Sequence, residues 1–264
     1  TDNKVIIQHV AGKVFELDKP AFAKFLKEEE CSLSKAGFLF TQKKKGIIPE
    51  FLEYYYNKRV EIKKNLYKAK TKLKKLKKNT PEYTDAKYEV ERLNTSQMVI
   101  KILINSCYGY MGNKRAPIGD DDIASSVTLT GQAVIKEAGQ ILKNHLKDEL
   151  IKEFLKKEIP DITDRELEEC IVYNDTDSSY VSITPLVDKG LKFLDGEDIH
   201  QDTHNKIQEI EDYLNAGVLD WSKKALLSKD SRFIFKRECI ADVGVFLQKK
   251  RYVMHILDDE GIKE

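Results

Sequence analysis

Apolar and polar positions alternate in short runs over the first 48 residues. KVIIQHV, KVFEL and GFLFTQ each carry the two-residue period of half-buried strands, and Gly12, Gly37 and Gly46 punctuate them. From Pro49 the period changes. Residues 50–77 contain neither Gly nor Pro and place Phe51, Tyr55, Val60, Ile62, Leu66, Leu73 and Leu76 among lysines, which predicts a long helix. The break KKNTPEY follows, with Thr80 able to cap and Pro81 able to open the next helix. A second Gly-free run then covers 82–107. Two long helices joined by one short connection predict an antiparallel hairpin.

Downstream, residues 122–146 read as another long helix, and ECIVYNDTDSSYVSI as two apolar strands flanking a polar tip. Residues 203–227 form an amphipathic helix with Ile207, Ile210, Leu214, Val218 and Trp221 on one side. RFIFKRECIAD, GVFLQ and KRYVMHILDD return to strands. The chain holds neither repeats nor Ser/Gly linkers. The pattern predicts an α+β fold: a mixed or antiparallel sheet body with a long antiparallel helical-hairpin insertion.

Composition adds bounds. The 264 residues suffice for one large or two smaller domains, and 41% hydrophobic with 34% charged residues is globular with a heavily charged surface. No apolar run approaches the roughly 20 residues that a membrane span needs. TDNKVIIQHV lacks the layout of a signal peptide. Cys31, Cys107, Cys170 and Cys239 form no C-x-x-C pair, which argues against a zinc ribbon or disulfide framework and for a reducing cytoplasm. A start at Thr1 rather than Met fits a processed product or a fragment.

The net charge of +1 conceals a separation. Between Tyr54 and Lys78 stand ten lysines and Arg59 against the single acid Glu61, so that stretch carries +10 and the remainder −9. Polyanion affinity follows the local field rather than the mean.

Four constellations could carry chemistry. Asp175 and Asp177, in Asn174-Asp175-Thr176-Asp177-Ser178, repel one another at a tight tip unless a cation neutralises them, and Mg²⁺ is suited to one or two carboxylates plus phosphate oxygens. Spacing alone favours a plain hairpin turn, since Asn, Asp and Ser are the usual turn residues. Lys101, Asn105 and Tyr108, four and three apart, share a helix face, and Gly109 could end that helix as a C-cap. Arg59 and Lys63 share a face of the preceding helix, whereas most lysines between 64 and 78 read as a solvated surface. Lys249-Lys250-Arg251-Tyr252 is a basic tetrapeptide of a kind common on surface strands. His200 and His204 lie four apart without an evident third ligand, which reads as a surface pair. Asp120-Asp121-Asp122 reads as an acidic helix N-terminus.

Taken in order, Gly46-Ile47-Ile48-Pro49, Arg59 with Lys63, K-x-x-x-N-S-x-Y-G at Lys101–Gly109, Y-x-D-T-D-S at Tyr173–Ser178 and K-K-R-Y at Lys249–Tyr252 resemble the palm and fingers of replicative family B DNA polymerases of the T-even bacteriophage kind. The resemblance implies a palm formed by residues 1–48 and 109–264 and a fingers hairpin over 49–108. It implies that Asp177, with Asp175 contributing less directly, binds metal and is catalytic, with two Mg²⁺ ions in the complete site. Arg59, Lys63 and Lys101 would hold the triphosphate of a dNTP, with Asn105 in support and Tyr108 against the nascent base pair. Lys249, Lys250, Arg251, Tyr252 and Gly109 would meet primer-template DNA, and Glu238 would be an accessory acid near the metals.

Two positions depart from the family pattern. Asn174 replaces a Gly, a change the turn tolerates because Asn accepts positive φ. Lys236 stands where the family's D-R-E-x-I-A segment has Asp. The family's first motif, D-x-x-S-L-Y-P-S, its exonuclease and its thumb are expected to be absent. The isolated chain is therefore expected to be inactive unless a partner chain or missing segment supplies the first-motif aspartate. Two rival readings use parts of the same pattern. A two-metal nuclease or phosphotransferase would use the carboxylates without Lys101 and Asn105. A non-catalytic nucleic-acid-binding protein would use only the basic hairpin.

Overall fold

The computed structural model describes residues 4–8, 14–154, 170–175, 178–188, 190–259 and 262–263. Among them, helices are combined with small sheets of two or three strands, and every strand pairing is antiparallel. No helix of the described residues is long and apolar enough to cross a membrane.

β1 (Lys4–Gln8) and β2 (Val14–Asp18) pair as a hairpin. A helix the alternation pattern does not predict comes next, α1 (Lys19–Glu28). The Asp18 carboxylate accepts from the Ala21 N–H at 2.8 Å, Pro20 stands in the first turn, and Phe22, Phe25 and Leu26 recur at helical spacing. Those start signals outweigh the strand-like runs on either side. β3 (Cys31–Leu33) and β4 (Leu39–Thr41) form the next hairpin, turned through Gly37 at φ +89°.

The helical hairpin is as the sequence predicts, with shifted ends. α2 (Ile47–Lys74) and α3 (Pro81–Met111) are joined through Asn79 at φ +68°, and the Thr80 hydroxyl caps α3 by accepting from the Tyr83 N–H at 3.2 Å. Leu66 of α2 and Ala86, Leu93, Gln97, Ile100 and Met111 of α3 are its buried residues. At the open end Ile47, Ile48 and Phe51 face Ser106, Cys107 and Tyr110 across a cleft also lined by Ile118. Gly109 does not end α3. The helix runs on to Met111, which is buried, and Gly112 caps it by donating to Tyr108 O. A helical glycine costs only about 1 kcal/mol against alanine, less than the roughly 1.5–3 kcal/mol recovered by burying a methionine.

α4 (Asp121–Phe154) begins where the acidic run predicts. The Asp120 carboxylate accepts from the N–H groups of Asp122 and Ile123, and Lys114 pairs with Asp121 at 2.8 Å. Val134, Ala138, Leu142 and Leu146 recur every four residues along one face and lie in the main core. They meet Cys170, Leu186 of the short α5 (Thr184–Asp188), and Ile210, Leu214 and Val218 of α6 (Gln201–Ala225). The His200 imidazole caps α6, its Nδ1 accepting from the Asp202 N–H at 3.1 Å. β5 (Ile171–Asp175) pairs with β6 (Ser178–Val181), and β7 (Leu194–Asp195) with β8 (Asp198–Ile199).

RFIFKRE is not a paired strand. Residues 231–238 alternate between half-buried and exposed as a strand would, but their partner is a helix. Phe235 N–H donates to Asn215 Oδ1 and Asn215 Nδ2 to Phe235 O, both at 2.8 Å, and Arg237 N–H donates to Glu211 at 2.9 Å. Side chains of α6 thus satisfy backbone groups that a neighbouring strand would otherwise take. β9 (Cys239–Gln248) joins the two expected runs into one strand and pairs with β10 (Arg251–Asp259), which also pairs with β11 (Ile262–Lys263).

Gly217 of α6 faces Ile141 of α4. A Cβ there would stand 2.9 Å from Ile141 Cγ2, so the two helices approach closely because this position lacks a side chain. Gly217→Ala gains about 1 kcal/mol of helix propensity and loses about 1–3 kcal/mol to overpacking. The expected net is a destabilisation of about 1 kcal/mol, read as a lower urea midpoint. Adding Ile141→Val to Gly217→Ala should recover part of that loss.

Candidate nucleotide and primer site

Arg59 is half-buried on α2, and its Nε donates to Gln97 Oε1 across the hairpin at 3.2 Å. Gln97 is only 8% exposed and in turn donates from Nε2 to Asn94 Oδ1 at 3.1 Å. The guanidinium is therefore oriented by a buried amide rather than left to sample solvent. Lys63, one turn further along α2, lies over its neighbour Tyr67 with Nζ 5.8 Å from the ring centroid. Lys101 and Asn105 follow Gln97 by one and two turns of α3 and are exposed. Two cations of α2 and one of α3 thus occupy the same stretch of the hairpin.

Tyr108 ends this row. Its hydroxyl lies 2.5 Å from Thr128 Oγ1 of α4. Thr128 also donates to Ala124 O at 3.0 Å, so Tyr108 is the donor of the pair. The ring itself remains 44% exposed. Gly109 beside it is exposed, with open space where a Cβ would stand.

A second group surrounds the β5–β6 hairpin. Asp175 is opposite Ser178 at its end, and Tyr173 is opposite Tyr180. Asp177, Thr176 and the side chain of Asp175 lie outside the described residues. The rings of Tyr173, Tyr180, Phe246 and Tyr252 form one cluster with centroids 5.1–5.9 Å apart. Tyr180 donates its hydroxyl proton to Tyr252 Oη at 2.6 Å. Burial chiefly, then that hydrogen bond, pushes the Tyr180 hydroxyl well above the usual phenol range, and the charge of Glu238 adds to the push. Burial also raises the Cys239 thiol, again with Glu238 assisting. Glu238 is exposed and acts on this cluster through its charge.

Lys249 and Lys250 form the turn between β9 and β10, flanked by Gln248 and Arg251. Lys249, Lys250 and Arg251 are exposed, and Tyr252 is 37% exposed. Lys250 adopts φ +63°, a left-handed conformation that favours glycine. Its N–H donates to Tyr173 Oη at 2.9 Å. The phenol of β5 therefore pins a strained turn of a different sheet. Residues some 77 positions apart in sequence are joined in this way.

The two groups meet different parts of α4. Tyr108 bonds to Thr128, whereas the nearest atom to a Cβ added at Gly139 would be the Asn174 amide nitrogen at 3.9 Å. Eleven residues separate Thr128 from Gly139, or about 16 Å of helix. Among the described residues, no group of three or more His, Cys, Asp or Glu side chains is placed to hold a metal ion. By the chemistry of their side chains alone, Asp175, Asp177 and Glu238 offer only oxygen donors, a kind that fits a hard divalent cation.

The sequence pattern did not single out Gln97, Thr128, Tyr180 or Phe246. Gln97 carries the one available signal, a polar residue at an inward position of α3, in register with Leu93 and Ile100.

The chain is a member of DNA polymerase family B, whose sequence model matches residues 6–207. It is similar to DNA polymerase 037L of Invertebrate iridescent virus 6, 28% identical over 70% of this chain and 14% of the relative. The DNA-directed DNA polymerase of Escherichia phage RB69 is 26% identical over 64% of this chain and 18% of its own length. That of Enterobacteria phage T4 is 25% identical over 88% of this chain and 30% of its own length. The chain thus spans less than a third of each of these curated relatives.

The strained turn and the Tyr180 phenol each give a measurable outcome. Lys250→Gly should be about 1 kcal/mol more stable than Lys250→Ala, because only glycine relieves the left-handed backbone, and denaturant midpoints of the two variants check it. Tyr180 has a folded-state pKa above its unfolded value. Its contribution is therefore complete below the unfolded phenol range near pH ~10 and is lost as pH rises beyond it. Thermal melts above that pH should fall more steeply for the native chain than for Tyr180→Phe.

Proposed function

We propose that this chain supplies the nucleotide-binding hairpin and the carboxylate hairpin of a template-directed DNA polymerase. In this reading α2 and α3 are the fingers, and the strands around β5–β6 and β9–β10 belong to the palm. The observation that carries the reading is the junction between the Asp175-bearing hairpin and the Lys249–Tyr252 turn, made by Tyr173 Oη and the four-ring cluster. A nuclease needs the carboxylates alone. A polymerase must also hold a primer end beside them, and an exposed basic turn fixed to that strand pair is suited to a primer backbone.

The reaction is in-line attack of a primer 3′-hydroxyl on the α-phosphate of a deoxynucleotide, with pyrophosphate leaving. Lys101 and Lys63 oppose the charge of the β- and γ-phosphates as point charges, and Arg59, held by Gln97, offers a planar fork to two phosphate oxygens. Asn105 supports the Lys101 contact from the next turn. Tyr108, tied through its hydroxyl to Thr128, presents its ring face to the incoming base pair. Lys249, Lys250 and Arg251 hold the primer backbone while Tyr252 stands beside its end. Asp175 and Asp177 would hold Mg²⁺, which supplies activation of the attacking hydroxyl and neutralisation of the departing charge. A first-motif aspartate from another segment or chain completes the carboxylate set, so the chain alone has negligible extension activity.

Lys101→Ala tests the reading. Loss of one charge-assisted contact of about 1.5–3 kcal/mol should weaken binding of a fluorescent dNTP analogue roughly 10- to 150-fold. An unchanged affinity would favour a carboxylate-only phosphotransferase. Primer extension with Mg²⁺ is expected only when a separate piece bearing D-x-x-S-L-Y-P-S is added, and Asp177→Asn should abolish it.

A further inference from the structure

The part of the helical hairpin beyond Arg59 and Lys63 is not used by the reading above. It carries most of the charge of the arm: eight of the ten lysines between Tyr54 and Lys78 lie at or after position 64. The structure divides them by face. Leu66, Leu73 and Leu76 turn toward α3, with Leu66 buried and the other two half-buried. Lys64, Lys68, Lys72 and Lys75 are all exposed. Their spacing of four, four and three residues keeps them in one row along the outside of α2 and onto its C-cap, Lys75, whose backbone is still right-handed helical.

The row is about 16 Å long, with a cation every 4.5–6 Å. Such a charge row on a helix is ordinarily offset by acids one turn away or on the facing helix. Here Glu61 is the sole acid of that stretch of α2. On α3, Glu89 is held by Arg92 at 2.7 Å, and Glu91 pairs with Lys87 at 3.9 Å, both within their own helix. From Tyr54 to Arg92 the arm still carries +8, against −7 for the rest of the chain. Like charges packed in a row repel and cost stability, so a row this uniform points to a polyanionic partner.

We propose that Lys64, Lys68, Lys72 and Lys75 form a contact surface for the phosphate backbone of double-stranded DNA, separate from the triphosphate-binding cations Arg59, Lys63 and Lys101. The length of the row matches the axial rise of about five base pairs, at ~3.4 Å of duplex axis each. Asn65 and Thr71, between these lysines on the outer face, are polar and exposed, and the one aromatic ring of the stretch, Tyr67, is half-buried with its hydroxyl enclosed. Single-strand surfaces rely on such rings to stack bases. A lysine row with no exposed ring reads charge density alone, which is highest on a duplex, and it does so without sequence preference.

The test is fluorescence anisotropy of a labelled 20-base-pair duplex with the full chain and with Lys64→Gln/Lys68→Gln/Lys72→Gln/Lys75→Gln, across 50–200 mM salt. Four contacts at the duplex slope predict about 150-fold of salt-dependent affinity over that range. The quadruple variant should lose most of that dependence, its log–log slope falling by about 3–4. Glutamine is a good helix former, and far-UV circular dichroism verifies that the hairpin is intact. Lys192→Gln/Lys206→Gln/Lys223→Gln/Lys224→Gln, which removes four charges outside the arm, controls for net charge and should shift the slope far less. Binding of the dNTP analogue should be unchanged in the quadruple variant, which separates this surface from the nucleotide site. An unaltered duplex slope overturns the proposal. So does an equal fall on a single-stranded oligothymidine of the same length, or a control variant that matches the quadruple one.

Discussion

Both candidate groups depend on how α4 is held. Its Val134–Ala138–Leu142–Leu146 face is buried against Ile210, Leu214 and Val218 of α6, and that seam fixes one rigid rod inside the molecule. From it the Thr128 hydroxyl reaches Tyr108 at the end of the helical hairpin, and Gly139 stands beside Asn174 of the carboxylate hairpin. Neither hairpin could keep its bearing without the seam. A helical rod suits this task because its rise per residue is fixed, so the spacing between two attachment points follows directly from sequence separation. The close approach at Gly217 and Ile141 shows how tightly the seam is drawn.

Orientation at the site comes from single polar contacts added to this frame. Arg59 owes its direction to Gln97, an amide that would be costly to bury without partners and that finds them in Arg59 and Asn94. Lys250 accepts a left-handed backbone, and the Tyr173 hydroxyl takes up the N–H of that strained residue. In each case a group that is unfavourable alone is made favourable by one partner from a distant element. The site is thus specified less by any one motif than by pairs that join motifs.

Periodicity made most of the architecture legible. The two helices of the hairpin, α4, α6 and the strand pair around Asp175 all follow from apolar spacing and start signals, with ends displaced by up to eight residues, the most at the end of α4. The failures have physical reasons. α1 was hidden because its ten residues lie between strand-like runs, although Asp18 and Pro20 mark its start. RFIFKRE alternates as a strand because one side of it is buried, but Asn215 and Glu211 of α6 take its backbone bonds. Alternation reports burial on one side, and it does not reveal whether the neighbour is a strand or a helix. Gly109 looked like a cap because glycine often is one, yet burial of Met111 draws the helix two residues further. The motif residues themselves were legible only as an ordered set. Their partners Gln97, Thr128 and Phe246 were not, since pairing across 20 to 73 positions leaves no local trace.

The separation of charge follows from the same economy. Basic residues concentrate on a two-helix arm, where long side chains reach solvent and the field of each lysine is screened from the body by about a Debye length, roughly 8–10 Å in physiological salt. The compensating acids lie elsewhere in the chain, in elements such as α6, which carries Asp202, Glu209, Glu211, Asp212 and Asp220. A chain of net charge +1 can therefore present a strongly positive arm and a negative body. Stability alone would favour interleaving them, because an i,i+4 pair of opposite charge contributes a few tenths of a kcal/mol. The chain forgoes that gain along α2 while taking it on α3, where Glu89 and Glu91 find Arg92 and Lys87. Two adjacent helices of one hairpin thus follow opposite charge rules. The difference is explained by what α2 meets outside the chain, not by what it meets within it.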